Sequence, residues 1–326
     1  MSDSKSSPFP NHRGKATWGD RVVEMSAFDA EVERHGRQLD EAGRVAAERS
    51  WAQRELDPTP VEGPFRRVLV FGGIYSNAFA LRSLLQEAQA KRVDAIYCLG
   101  DLGGFGPQPE AIWPLLTAAG VRVIQGNYEQ SLSSGAEDCN CGYTDPRDNH
   151  FAALSYEYTE RHCSAEFKSW MGQLPARRRL KLGGSEWLLI HGSPRQVNEF
   201  LFDSATPDGF LERLLDEERC DGILCTHSGL HWQRRLPSGR QVVNVGVIGR
   251  PANDGRRCVW YAMLEQDDAR SDIDVQLLPL EYDYVALAEA MRRERLPQEF
   301  IETIETGWWT TCLEILPTQE RERSRY

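Results

Sequence analysis

No apolar run in the 326 residues approaches the roughly 20 that a membrane-spanning helix needs, so no membrane anchor is expected. The opening stretch MSDSKSSPFPNHRGK has no apolar core of the kind a secretory leader carries, so a cytoplasmic chain is expected. Basic charge is scarce too: 38 Lys and Arg face 49 Asp and Glu, a net charge of −11. That balance argues against general nucleic-acid binding, and the densest basic stretch, Arg177 to Lys181 in RRRLKL, reads as a solvated strand edge. The C-x-x-C…C-x-x-C spacing of a structural zinc site is missing. In a chain this long without a secretory leader the eight cysteines are expected as reduced thiols; only Cys139 and Cys141, in EDCNCGYTDPRDNH, stand close enough to bind metal or form a redox couple, an inert loop being the plain alternative. Internal repeats and low-complexity tracts are also lacking.

What remains is a chain with 40% hydrophobic residues, enough for a substantial core. Residues 1–24 are polar and punctuated by Pro and Gly, and read as a mobile tail. Residues 25–56 carry apolar side chains at loose helical spacing: an amphipathic helix against the domain or a partner, and a candidate homodimer contact. DPTPVEGP then reads as a linker, closing a segment over 25–64. From residue 66 strand-like and helix-like runs alternate (RRVLVFGG, 78–90, DAIYCLGD, PEAIWPLLTAAG, VRVIQGN), which argues for βαβ units and a parallel sheet in a main domain over 65–281. The runs RQVVNVG, RCVWYAML and IDVQLLPL suggest a second, more antiparallel sheet, and 282–326 reads as a helical C-terminal extension.

The strand-end turns hold the chemistry. Asp101 in LGDLGG, Asn127 in QGNYEQ, His191 in LIHGSPR and His227 in CTHSGLH each follow an apolar strand, and such ends share one crevice in an open sheet. One carboxylate, one amide oxygen and two imidazoles form a mixed donor set suited to Mn²⁺, Fe or Zn²⁺. Singly each has a structural reading, a hydrogen-bonded histidine or an asparagine in a turn; four together shift the balance. Arg195 in HGSPR and Arg250 in VIGRP offer guanidinium groups to a phosphate, surface ion pairs being the alternative. Asn77 reads as a helix cap.

In these turns the chain resembles the calcineurin-like metallophosphoesterases, whose blocks D-x-H, G-D-x-x, G-N-H-[DE], a lone H and G-H-x-H correspond to residues 73–75, 100–103, 126–129, 191 and 226–229. The resemblance covers roughly residues 66–265 and implies a four-layer αββα sandwich of two mixed sheets. It departs from the family at Gly73, Tyr75, Tyr128 and Gly229, which stand where the family has Asp, His, His and His. By the same resemblance Asp101 would bridge two ions. Asn127, His191 and His227 would complete one ion's ligands, while the other's private ligands are all missing.

The resemblance thus implies one divalent ion per chain and hydrolysis of a small phosphomonoester or phosphodiester, with water as nucleophile on that ion. Asp101, Asn127, Tyr128 and Arg195 are the catalytic candidates; Asp101, Asn127, His191 and His227 are the metal candidates. Tyr128 is a poor acid–base group near neutral pH. Tyr75, Cys139, Cys141 and His231 are candidate substitute ligands for a rebuilt second position. The rival readings are a metal- or phosphate-binding module without turnover, and redox chemistry at an iron held by Tyr75, Cys139 and Cys141.

Overall fold

The computed structural model describes residues 15–18, 21–24, 59–267 and 272–322, and the chain divides into Met1–Pro58 and Thr59–Tyr326. In the first unit β1 (Lys15–Trp18) and β2 (Arg21–Glu24) pair antiparallel, Lys15 opposite Glu24 and Trp18 opposite Arg21. This hairpin falls in the expected mobile tail. KATW and RVVE, rich in β-formers, flank a Gly19–Asp20 pair, a two-residue hairpin signal hidden by the polar composition around it. The amphipathic helix expected over 25–56, and the homodimer contact assigned to it, lie outside the described residues.

Two mixed sheets form the second unit. In the first, β4 (Arg67–Phe71), β5 (Ala95–Cys98) and β6 (Arg122–Val123) run parallel, and the hairpin of β12 (Val259–Asp267) and β13 (Asp272–Leu280) joins β4 antiparallel. The second comprises β3 (Val61–Phe65), β7 (Arg178–Leu182), β8 (Ser185–Leu189), β9 (Gly222–Cys225), β10 (His231–Arg235) and β11 (Gln241–Val245), in the order β10-β11-β9-β8-β7-β3. Two expectations are corrected here. The VWYAML and IDVQLLPL runs extend the first sheet rather than a second one, because Ala262 and Leu264 set apolar side chains opposite Val70 and Val68. The stretch read as a linker contains edge strand β3. It is held there by Glu62, which accepts from Arg178 Nη1 at 2.5 Å, Arg122 Nη1 at 2.7 Å and the Tyr97 hydroxyl at 2.9 Å.

Alternation along β4 divides the core. Val68 and Val70 pack between the sheets against Leu180, Trp187, Leu224 and Val243. Leu69 and Phe71 face the helical layer, which includes α1 (Ala78–Lys91), α2 (Trp113–Ala118), α3 (Asn127–Ser134), α4 (Pro146–His162) and α5 (Ala165–Gly172). On the far side of the second sheet α6 (Asp208–Glu218) buries Leu211, Leu214 and Leu215 against Leu188, Ile223 and Val242. The layers are therefore helix, sheet, sheet, helix. Asn77 caps α1 as expected, accepting from Ala80 N–H at 2.9 Å, and its amide also donates to Ile248 O at 3.2 Å.

The strand ends of the two sheets meet closely. A Cβ on Gly72 would lie 1.9 Å from Thr226 Oγ1 and 2.1 Å from Gly246 O, so only glycine lets β4 end beside β9 and β11. Helices α7 (Tyr284–Arg293), α8 (Gln298–Thr306) and α9 (Thr318–Glu322) follow, and the tail returns to the strand ends. There Trp309 donates Nε1–H to Pro251 O at 2.6 Å and its amide to Asn253 Oδ1 at 2.9 Å.

Candidate metal centre

Asp101 follows β5, Asn127 opens α3, His191 follows β8 and His227 follows β9. The turns bring Asp101, His191 and His227 together, buried, with one ligand atom from each within 4.8 Å of the others. His191 Nε2 stands 3.3 Å from Asp101 Oδ2 and 3.1 Å from His227 Nδ1. Those separations match neighbouring ligand atoms about one ion at bond lengths of about 2.0–2.2 Å. His191 Nδ1 donates to Leu99 O at 2.6 Å, which fixes the ring and leaves the Nε2 lone pair facing the cluster. Asn127 donates its amide to Cys139 O at 2.8 Å, while its Oδ1 is buried with no hydrogen-bond partner. Asp101, His191 and His227 fit one divalent ion, and the orphaned Asn127 oxygen belongs to the residue after Gly126, whose Cβ would meet Asp101 and His191.

Local backbone geometry aims these groups. Asp101 (φ 56°) and His227 (φ 64°) adopt the left-handed conformation that side-chain-bearing residues seldom take. Gly126 lets them close up: a Cβ there would lie 2.6 Å from Asp101 Oδ1 and 2.8 Å from His191 Cε1.

Burial alone would raise the Asp101 pKa, but His191, His227 and the Tyr128 amide outweigh it and hold the carboxyl below the usual range. Burial works against protonating His191, yet the Asp101 carboxylate and Leu99 carbonyl raise its pKa. His227 is pushed down to about 3 by burial and by His191, so it stays neutral, the ligating form.

The other expected residues divide. Tyr75, Tyr128, Cys141, Asp101 and His227 all line a cavity of about 50 Å³. Tyr128 places its hydroxyl 2.9 Å from Ser155 Oγ, and burial raises its pKa further from neutrality. The Tyr75 phenol is raised likewise by burial, which disfavours a ligating phenolate. Arg195 does not line the cavity: it is exposed, lies 3.7 Å from Glu199 in an ion pair, and rests over the Phe210 ring. His231 stands outside the cluster, stacked on Trp260 at 3.7 Å on β10, because the strand pairing points it there. Cys139 and Cys141 are bonded to each other rather than present as thiols, so neither offers a thiolate; the six remaining cysteines are free and buried.

Two contributions escaped the sequence reading. Glu129 accepts backbone N–H bonds from Asp101 (2.8 Å), Leu102 (2.8 Å) and Gly126 (2.7 Å), pinning the Asp101 loop to the start of α3. Its place three residues after Gly126 is a capping-box spacing that would have marked it. The C-terminal extension supplies Phe300, Thr311 and Cys312 to the cavity wall, for which no local pattern gives a signal.

A family model described as the calcineurin-like phosphoesterase superfamily domain matches residues 67–269, and the chain belongs to that superfamily. It is 22% identical over 245 residues to an uncharacterized protein of Methanocaldococcus jannaschii, covering 71% of this chain and 94% of that protein. Among solved structures it is similar to a metallophosphoesterase from Sphaerobacter thermophilus (TM-score 0.57, 23% identity, 74% of this chain and 99% of that one). It is also similar to a hypothetical protein from Pyrococcus horikoshii (TM-score 0.62, 22% identity, 75% and 99%). At such identities these two structures speak for the fold. No helix among the described residues is long and apolar enough to cross a membrane.

Proposed function

We propose that this protein hydrolyses a small phosphate monoester or diester at a site holding one divalent ion on Asp101, Asn127, His191 and His227. The observation that carries the reading is the convergence of donor atoms of Asp101, His191 and His227, 3.1 and 3.3 Å apart; the buried, unpartnered Asn127 Oδ1 supports the fourth ligand. A divalent ion in that position, Mn²⁺, Fe²⁺ or Zn²⁺, supplies Lewis acidity to a phosphoryl oxygen and lowers the pKa of water. Asp101 brings the negative charge, His191 is oriented by Leu99, and His227 remains neutral. Tyr128 is a weak proton donor to a leaving group, being raised in pKa by burial and engaged with Ser155. Esters whose leaving groups need little protonation are the favoured substrates, since general acid catalysis is otherwise worth about 10²–10⁴-fold.

The same Tyr128 environment favours a second reading, retention of the ion without turnover. The redox reading loses support, because Cys139 and Cys141 are joined to each other. A cytoplasmic setting is proposed with the hydrolase reading; six free, buried thiols support it, and the Cys139–Cys141 bond weighs against it.

The test uses metal-depleted full-length protein reloaded with Mn²⁺ and assayed on p-nitrophenyl phosphate and bis(p-nitrophenyl) phosphate, with Asp101→Asn alongside. Turnover that depends on the ion and falls at least about 100-fold in the variant is expected. Equal turnover in Asp101→Asn ends the hydrolase reading at this site, and ion binding without turnover of either ester selects the second reading.

A further inference from the structure

The turn at 73–75 and the position of Gly229 mark where a second ion's private ligands would stand in a two-ion member of the family, and this chain fills that space with side chains. A Cβ on Gly73 would lie 2.4 Å from Tyr75 Cε1, so the Tyr75 ring covers the spot from which any residue 73 side chain would project. Tyr75 also closes on Gly249, whose Cβ would lie 2.4 Å from Tyr75 Cβ and Cδ2. A Cβ on Gly229 would point at Trp309 Cη2, 3.0 Å away, and at Arg250 Nη2, 3.4 Å away.

Arg250 lies among these three positions and lines the same cavity as Asp101 and His227. Its guanidinium carbon sits 3.5 Å from the Trp309 ring centroid, 5.7 Å from that of Phe105 and 5.8 Å from that of Tyr75. The residue is 6% exposed, its Nε has no hydrogen-bond partner, and it forms no ion pair among the described residues. The polar groups that act on it are the Cys312 thiol, which hydrogen-bonds its side chain, and the Tyr75 and Tyr143 hydroxyls, with no carboxylate paired to it among the described residues. A buried charge is ordinarily paired, and a guanidinium held flat by aromatic rings presents a planar fork suited to tetrahedral oxyanions.

We propose that Arg250 stands in for the second cation: the protein binds a phosphate group between the guanidinium of Arg250 and the divalent ion on Asp101, Asn127, His191 and His227. The loss of Asp and His ligands at 73, 75 and 229 and the placement of Arg250 are then one arrangement, with a fixed organic cation in place of an exchangeable one. This rests on the ion-site reading above but does not require turnover.

Calorimetric titration of inorganic phosphate into Mn²⁺-loaded wild-type protein, Arg250→Gln and Arg250→Lys tests it, with metal content measured in each. Wild type is expected to hold one ion per chain and to bind phosphate. Arg250→Gln should keep its ion and bind phosphate roughly 10- to 100-fold more weakly, with Arg250→Lys between them. Unchanged phosphate affinity in Arg250→Gln, no phosphate binding by wild type, or two ions per wild-type chain would each overturn the proposal. Should Arg250→Gln fail to fold, Arg250→Lys and the wild-type ion count decide it. Loss of turnover with phosphate binding intact would count against the hydrolase reading alone.

Discussion

Glu129 accepts the backbone N–H of Asp101 at 2.8 Å, so the residue that opens the candidate metal centre hangs from the first turn of a helix. The same carboxylate takes the amides of Leu102 and Gly126. Ser155 and Thr159 on α4 hold the rest of that loop, accepting from Phe105 N–H at 2.7 Å and Gly104 N–H at 3.0 Å. Burial first and the Asp101 charge second raise the Glu129 pKa to about 7, against the pull of its three amide donors. A left-handed Asp101 is thus imposed by its surroundings rather than by local preference.

Removing that anchor should cost more than one ordinary hydrogen bond. Glu129→Ala leaves three buried donors unpaired, each worth about 1–3 kcal/mol, so unfolding free energy should fall by at least about 3 kcal/mol. Glu129→Gln keeps one acceptor oxygen and should fall between. Urea unfolding of metal-depleted protein measures both; a drop below about 1 kcal/mol for the alanine variant would show that the loop is held by other contacts.

The parallel strands and the clustering of Asp101, His191 and His227 at strand ends were legible from local pattern, whereas the four-layer sandwich was legible only through the family resemblance. Alternating apolar strands ending in Gly-containing turns give a sheet with its chemistry at strand ends, and Asp101, His191 and His227 each carry that signature. What was not legible depends on contacts distant in sequence. The hairpin of β12 and β13 reads as antiparallel from spacing, but its attachment to β4 is decided by Ala262 and Leu264 meeting Val70 and Val68. Arg195 and Arg250 look equivalent in their motifs, yet one ends on the surface beside Glu199 and the other is buried by Trp309, nearly sixty residues downstream.

Metal content separates the clustered ligands from the residues considered as substitutes. His227→Ala should lose most of its ion, because the remaining donors leave an incomplete set. The combined variant Tyr75→Phe, Cys139→Ser, Cys141→Ser should keep the ion, since Asn127 keeps its 2.8 Å bond to the backbone carbonyl of Cys139 when the longer 3.4 Å contact to Cys141 Sγ is lost. Elemental analysis of the purified chains reads both. Loss of the ion in the triple variant would bring the phenol or a sulfur back as a ligand.

Gly126 offers a test of geometry without touching a ligand. An added methyl would meet the Asp101 carboxylate at 2.6 Å, the Asp101 amide at 2.8 Å and the His191 ring at 2.8 Å, none of them the free end of a flexible chain. Gly126→Ala should therefore push Asp101 and His191 apart, weakening Mn²⁺ binding by at least about tenfold and lowering stability by about 1–3 kcal/mol. Titration of metal-depleted protein with Mn²⁺ measures the first and urea unfolding the second. Wild-type affinity in a folded Gly126→Ala protein would mean that the cluster tolerates rearrangement.

Trp309 joins the C-terminal extension to the site. Its indole N–H bonds Pro251 O and its amide bonds Asn253, so it fixes the loop that carries Arg250 while its ring covers the guanidinium. Trp309→Ala should cost about 3–5 kcal/mol from the lost aromatic packing. Local opening should follow, loosening the backbone at the already exposed Arg292, Arg293 and Arg295 so that trypsin cuts there well before the sheets unfold. Trp309→Phe keeps a ring beside Arg250 and loses only the indole hydrogen bond, about 1 kcal/mol, so its cleavage pattern should stay close to wild type. Equal trypsin resistance in all three proteins would mean that α7 and α8 hold the extension by themselves, through Leu287, Met291, Phe300 and Ile304 in the helical core layer.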